Sequence, residues 1–201
     1  YYMFVFWAYT VITAFLMPII RLYTSGIADA AIYDSKEMLL LFAAWSILAC
    51  VETPLIQLQS IAGKFDDTKG QAVREMVINI LVSLILTWWI GIAGCLIGTL
   101  AALTYRIIAL SRYMFGNVRP GNAKRSIKKV AVNAAVAAVV LWILGLDGCR
   151  AVNYFYVAGI AVLNSLWIAA LYLLVNVLTN LEEYKGIWKE LCRWLKMRFL
   201  R

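Results

Sequence analysis

Two charged residues, Glu52 and Arg106, interrupt long apolar stretches of this chain of 201 residues. A charge inside a membrane span is costly and usually marks an ion pathway, a proton relay or a substrate contact. Counted along a helix from the end of each stretch that we expect at the inner membrane surface, Glu52 lies roughly 12–16 Å deep and Arg106 roughly 9–14 Å deep. Asn79 falls at a similar depth. The pattern predicts that these side chains face a common interior, where Glu52 and Arg106 either neutralise each other or separately line a water-filled cavity.

Both charges also have purely structural explanations. Arg106 lies six residues before Arg112 and could extend its guanidinium group to the membrane surface. Glu52 could stay protonated and donate one hydrogen bond to a neighbouring helix. Pro54, two residues later, removes a backbone donor. The resulting bend would permit movement in a transporter or simply shape the packing of a static bundle.

The residue types that build most metal and nucleophilic sites are missing or scattered. The chain has no histidine, which removes the commonest general base. Its four cysteines form no C-x-x-C pair: Cys50, Cys95, Cys149 and Cys192. The sequence therefore predicts no zinc site. A disulfide between Cys95 and Cys149 is conceivable only because both are expected near the same membrane surface.

One acidic pair, Asp66 and Asp67, could be compared with the metal-binding pair of a sugar-nucleotide enzyme. Lys64 and Lys69 flank the pair in a short loop, which favours a solvated turn. We therefore predict no catalytic residue, no metal and no cofactor, and a protein that is not an enzyme.

The composition of the chain indicates the class of protein that contains these residues. Hydrophobic residues make up 64% of the chain and charged residues 15%, with a mean hydropathy of +0.80. Soluble domains carry about 25% charged residues, and disordered chains combine low hydrophobicity with high charge. The apolar residues occur in blocks of about 20, the length at which a helix crosses a bilayer. The sequence therefore predicts an all-α, multi-pass membrane protein.

The apolar blocks divide into six predicted spans. The third and fourth share one apolar stretch, which Gly91 and Gly94 interrupt. Gly94 and Gly98 are four residues apart and predict close packing of two helix backbones. The spans are 1–20, about 38–60, about 71–90, about 91–115, 130–146 and about 152–178.

The basic residues predict the orientation. When successive loops are assigned to alternate sides, one side receives fifteen lysines and arginines and the other receives three. Cytoplasmic loops carry the excess of positive charge, so we expect both chain ends in the cytoplasm. The net charge of +8 is distributed among these loops, which argues against a nucleic-acid partner. Residues 181–201 predict a basic amphipathic helix that lies on the inner leaflet, as an anchor or a docking element.

From Arg21 to about Arg112, the order of features resembles a known family. The features are RLYTSGIADAAIY after one span, Pro54 within the next, the loop IAGKFDDTKGQAVRE, then INILVS and GIAGCLIGT. This order is similar to the C-terminal half of bacterial polysaccharide flippases, which export O-antigen and capsule repeat units. That family shares a superfamily with the lipid II flippase and the multidrug and toxin extrusion transporters. The resemblance covers about half of the chain; the remainder matches only in being hydrophobic.

The resemblance implies two lobes of six helices around a central cavity, followed here by two further helices. Residues 1–115 would be the last four helices of the second lobe, 116–129 a basic cytoplasmic loop, 130–180 the two further helices and 181–201 the tail. The chain would then be the downstream part of a longer protein whose N-terminal lobe is its partner. By this analogy, the protein is an ion-driven antiporter in the bacterial cytoplasmic membrane. Its substrate would be undecaprenyl-pyrophosphate-linked oligosaccharide for lipopolysaccharide or capsule.

Placement within the spans, rather than the family pattern, suggests individual roles. Arg106, Arg21 and Asn79 are candidates for substrate binding, because a pyrophosphate needs positive groups and sugars need polar ones. Glu52 is the candidate for ion coupling. Two alternatives remain: a drug or lipid exporter of the same superfamily, and a membrane-embedded glycosyl- or acyltransferase. A purely structural partner in the bilayer is disfavoured by Glu52.

Overall fold

The computed structural model describes residues 1–26, 35–118, 123–147, 149, 153–181 and 193. Within these ranges the chain is helical and contains no strand, which confirms the all-α prediction. Six helices are long and apolar enough to cross a membrane. They are α1 (Tyr2–Thr24), α2 (Lys36–Ala62), α3 (Phe65–Ile90), α4 (Ile92–Tyr113), α5 (Ala123–Leu144) and α6 (Tyr154–Thr179). Nearly all of the predicted amphipathic tail, 181–201, lies outside the described residues.

The helix boundaries follow local sequence signals. Ser35 caps α2 by accepting a hydrogen bond from the backbone of Met38, and Asn153 caps α6 in the same way. Gly63 ends α2 with a φ of 63°, and Gly91 separates α3 from α4 with a φ of 66°. Both φ values are positive, and only glycine adopts such conformations at low cost. The predicted break between spans three and four is therefore at Gly91.

Three stretches are more helical than the sequence suggested. Helix α3 begins at Phe65 rather than at about residue 71, so the short loop predicted around Asp66 and Asp67 is its first turn. A π-helical turn, Met114–Val118, continues α4 beyond its last regular turn. Helix α5 begins at Ala123, so part of the basic loop predicted at 116–129 is the first two turns of a helix.

Hydrogen bonds between helix ends show that successive helices alternate in direction. Lys128 near the start of α5 donates to the carbonyl of Thr179 at the end of α6, at 3.1 Å. The Tyr113 hydroxyl at the end of α4 donates to Asp67 at the start of α3, at 2.5 Å. At the opposite end of the bundle, Asp147 follows α5. We call the end that contains Lys128 and Tyr113 the basic end, and the opposite end the Asp147 end.

Helix α1 lies at the centre of the bundle and packs against α2, α5 and α6. Helix α4 packs on the other side of α2, and α3 packs against α4 at the edge. The main core combines Phe6 of α1 and Val51 of α2 with Val140 and Ile168 from the last two helices. This order brings the middle of α2, α3 and α4 together, where the candidate site lies.

A buried polar network also ties the last two helices to α1. The side-chain amides of Asn133 and Asn176 exchange two hydrogen bonds, at 2.9 and 3.3 Å. The Tyr172 hydroxyl contacts the carbonyl of Asn133 at 3.4 Å and the hydroxyl of Thr10 at 2.9 Å. All four side chains are at most 5% exposed. Each of these polar groups therefore has a partner away from water, as an apolar environment requires.

Helices α3 and α4 approach each other closely. A Cβ atom added at Gly94 would overlap the backbone of Leu86, and one added at Gly98 would overlap Ser83. The close packing predicted from these two glycines is confirmed. The side of α3 that faces away from the bundle is broadly exposed, including Trp88 at 90%.

Candidate functional site

Three charged side chains meet inside the bundle. The Arg106 Nε atom lies 3.4 Å from Glu52 Oε1, and its Nη1 atom lies 2.5 Å from Glu75 Oε2. The side chains are 18% exposed for Arg106, 13% for Glu52 and 27% for Glu75. One guanidinium group therefore bridges two carboxylates within the membrane-spanning region.

Each of three neighbouring helices supplies one member of this cluster. Glu52 precedes the end of α2 at Ala62 by ten residues, and Glu75 follows the start of α3 at Phe65 by the same number. At the rise of an α-helix, both lie about 15 Å from the basic end. Arg106 reaches the same level from α4, the helix between the other two. The equal depth explains why the three groups meet.

The cluster is not electrically balanced. With all groups ionised, two carboxylates and one guanidinium carry a formal charge of −1. Removing charges from water is costly unless they are paired and hydrogen-bonded. A proton or a monovalent cation would restore neutrality.

The structure brings Glu52 and Arg106 together, as their depth in the sequence suggested. Asn79 lies one helical turn beyond Glu75 on α3, where its Oδ1 atom accepts hydrogen bonds from Ser83 (3.0 Å) and Thr99 (3.5 Å). Its position is therefore in the α3–α4 interface, next to the cluster.

Glu75 was missed by the sequence analysis, because it stands at the edge of a charge-free block and marks its boundary. A periodic signal was nevertheless present. Gln71, Glu75, Asn79 and Ser83 recur every four residues, the spacing that aligns side chains on one face of a helix. Gln71 Oε1 is buried and, among the described residues, has no hydrogen-bond partner. This polar face of α3 points toward the bundle.

Arg21, the second arginine predicted to bind substrate, lies at the Asp147 end. Its Nη1 atom is 2.9 Å from Asp147, which Lys36 also contacts at 2.7 Å. The hydrogen bond from Lys36 and the charge of Arg21 hold the pKa of Asp147 below its ordinary value. This cluster joins the ends of α1, α2 and α5. Arg21 therefore lies at the Asp147 end of the bundle, away from the cluster that contains Arg106.

The remaining candidates have simple surroundings. Asp66 and Asp67 form exposed ion pairs with Lys69 and Lys64, each at 3.3 Å. They lie in the first turn of α3 rather than in the loop that the sequence suggested. Carboxylates in the first turn of α3 also interact favourably with the helix dipole. Across the described ranges, no group of three or more Cys, Asp or Glu side chains is arranged to hold a metal ion. Cys95 and Cys149 are free thiols, so the conceivable disulfide does not exist.

Comparisons of the chain with protein-family models, with curated proteins and with solved structures find no match.

Proposed function

We propose that this chain is part of an exporter that flips lipid-linked oligosaccharide across the bacterial cytoplasmic membrane. The observation that carries the proposal is the ion cluster of Glu52, Glu75 and Arg106 inside the bundle. Intramembrane ionisable groups that pair with one another are typical of transport pathways. The motif order from Arg21 to Arg112, similar to that of polysaccharide flippases, supports the choice of substrate class.

The cluster offers a physical basis for coupling transport to an ion gradient. A proton or cation that binds the carboxylates weakens their hold on Arg106. A phosphate group that binds Arg106 leaves Glu52 and Glu75 without their counter-charge, which favours uptake of a cation. The two binding events are thus linked by a shared guanidinium group, and such linkage is reciprocal.

Helix α2 contains a point at which movement can follow ion binding. Pro54 lies two residues after Glu52 and lacks a backbone N–H, so one hydrogen bond of the helix is absent there. A change of charge at Glu52 acts next to this weakened turn. We propose that bending at Pro54 accompanies loading of the cluster.

The gene that encodes this chain provides the test. Glu52→Gln and Arg106→Gln, introduced separately into the encoded protein in its own organism, should each lower surface polysaccharide at least tenfold. Lipid-linked intermediates should accumulate inside the cell. Asp66→Asn is the matched control, because Asp66 is an exposed carboxylate of the same protein.

Immunoblots must show equal amounts of each variant in the membrane. Unchanged surface polysaccharide in both Glu52→Gln and Arg106→Gln would remove the cluster from the transport site. Normal polysaccharide together with altered drug sensitivity would instead assign the cluster to a drug exporter.

A further inference from the structure

A groove separate from the ion cluster opens near the basic end of the bundle. Its volume is about 490 Å³, and it lies between α2, the π-helical turn and the start of α5. Arg125, Ser126 and Lys129 line one wall, and Gln57 and Leu58 line the opposite wall. The groove therefore combines cationic, hydrogen-bonding and apolar side chains.

The position of the groove along the helices is that of lipid headgroups. Arg125 and Lys129 lie in the first two turns of α5, which begins at Ala123, and Leu58 lies in the last turns of α2, which ends at Ala62. Helix ends of transmembrane segments lie at the membrane–water interface, where basic side chains meet anionic lipid.

A second, smaller cavity adjoins this groove on the side of the main core. It has a volume of about 210 Å³ and shares Tyr2, Leu55, Phe115 and Ser126 with the groove. Its other walls are mainly apolar and include Val51, Ile107 and Val130. The combined space has a basic mouth and an apolar inner part, which is the profile of an amphiphile with an anionic headgroup.

We propose that this groove binds one anionic phospholipid of the surrounding membrane. Arg125 and Lys129 are four residues apart and therefore lie on the same face of α5, where they attract the phosphate. Ser126 and Gln57 supply hydrogen-bonding groups, and an acyl chain enters the apolar cavity. The lipid is a bound component of the protein and is distinct from the transported substrate, so the inference stands independently of the proposed function.

Helix α5 provides a matched control. Lys124 and Lys128 carry the same charges in the same turns, but they lie on a neighbouring face outside the groove. Arg125→Gln/Lys129→Gln and Lys124→Gln/Lys128→Gln therefore remove equal charge from different faces. A general attraction to the membrane surface depends on both pairs alike, whereas a built site depends on the first pair alone.

The test is lipid binding to the full chain purified in a neutral detergent. Native mass spectrometry would follow titrations with phosphatidylglycerol, phosphatidylcholine and inorganic phosphate. We expect one phosphatidylglycerol bound in preference to phosphatidylcholine. Each basic residue near an anionic lipid contributes about fivefold in affinity, so Arg125→Gln/Lys129→Gln should weaken binding at least tenfold. Lys124→Gln/Lys128→Gln should change it less than twofold.

A second variant tests the apolar part while all charges remain. Ser126→Trp places a large side chain where the groove meets the inner cavity, and it should also reduce phosphatidylglycerol binding at least fivefold. Circular dichroism must show unchanged helix content in every variant that is compared. Equal losses in the two double variants, equal binding of phosphatidylcholine, or full competition by inorganic phosphate would each overturn the proposal.

Discussion

The Arg106 guanidinium group is the shared counter-charge of two carboxylates in the bundle. Arg106→Gln leaves the part-buried Glu52 and Glu75 without their counter-charge, and breaking a fully buried ion pair in this way costs about 3–5 kcal/mol. Glu75→Gln removes the excess negative charge and keeps the pair of Glu52 with Arg106. We expect Arg106→Gln to lower the free energy of unfolding by several kcal/mol and Glu75→Gln by only about 1 kcal/mol. Unfolding by SDS in mixed micelles measures both.

Lys69→Gln is a suitable control for this comparison, since the Lys69 side chain is 77% exposed and surface pairs contribute little. Equal destabilisation by Arg106→Gln and Glu75→Gln would contradict this expectation. An effect of Arg106→Gln no larger than that of Lys69→Gln would contradict it as well.

The contribution of Asp147 to the stability of the fold should depend on pH. Its pKa is held below the ordinary value of 3.8, first by the hydrogen bond from Lys36 and further by Arg21. A carboxylate with a lowered folded-state pKa contributes stability that is complete above its unfolded value and is lost as pH falls through its folded value. We therefore expect this contribution to be constant at neutral pH and to decline below about pH 4.

The measurement compares the thermal unfolding midpoints of the natural protein and Asp147→Asn between pH 7 and pH 3. The natural protein should be more stable at neutral pH, and the difference should shrink at the acid end. Because Asp147 is 47% exposed, we expect a small effect that high salt reduces. A difference that grew on acidification would contradict the assignment.

Among the elements, the α3–α4 hairpin is the one most sensitive to side-chain size. Gly98→Ala would force a methyl group against Ser83 of the facing helix, and overpacking of this kind costs about 1–3 kcal/mol. Gly159→Ala in α6 is the matched control, because a Cβ atom there meets nothing within 4 Å. SDS unfolding should show a loss for Gly98→Ala only. Equal effects would mean that the two helices do not approach as closely as the structure shows.

Helices α5 and α6 are joined by hydrogen bonds between the side-chain amides of Asn133 and Asn176. A double-mutant cycle with Asn133→Leu and Asn176→Leu measures their coupling. Hydrogen bonds between transmembrane helices average about 0.6 kcal/mol and reach about 1.7 kcal/mol; two bonds made by one buried pair should lie toward the upper value. Additive losses in the cycle would show that the amides act independently.

At the scale of the molecule, the sequence predicts the number of spans and the charged pair well, but not which helices are neighbours. Gly91 interrupts an apolar stretch too long for one crossing, so the break before α4 is a local signal. Helix order depends on which face of each span is buried, and α1 is apolar on nearly every side. Glu75 was overlooked for a related reason. Its relation to Asn79 is visible only when α3 is treated as a helix with one polar face.

The alternation of helix ends makes the orientation of the whole molecule testable. The alternation predicted from the sequence assigns fifteen basic residues to one side and three to the other, so the basic end should face the cytoplasm. In a background with all four cysteines replaced by serine, Ser25→Cys places a thiol beside the Asp147 end, and Ser60→Cys places one near the basic end. Both serines are exposed. A membrane-impermeant maleimide should label Ser25→Cys in intact cells and Ser60→Cys only after permeabilisation. Labelling of Ser60→Cys in intact cells would invert the orientation, and the groove lined by Arg125 and Lys129 would then face the outer leaflet.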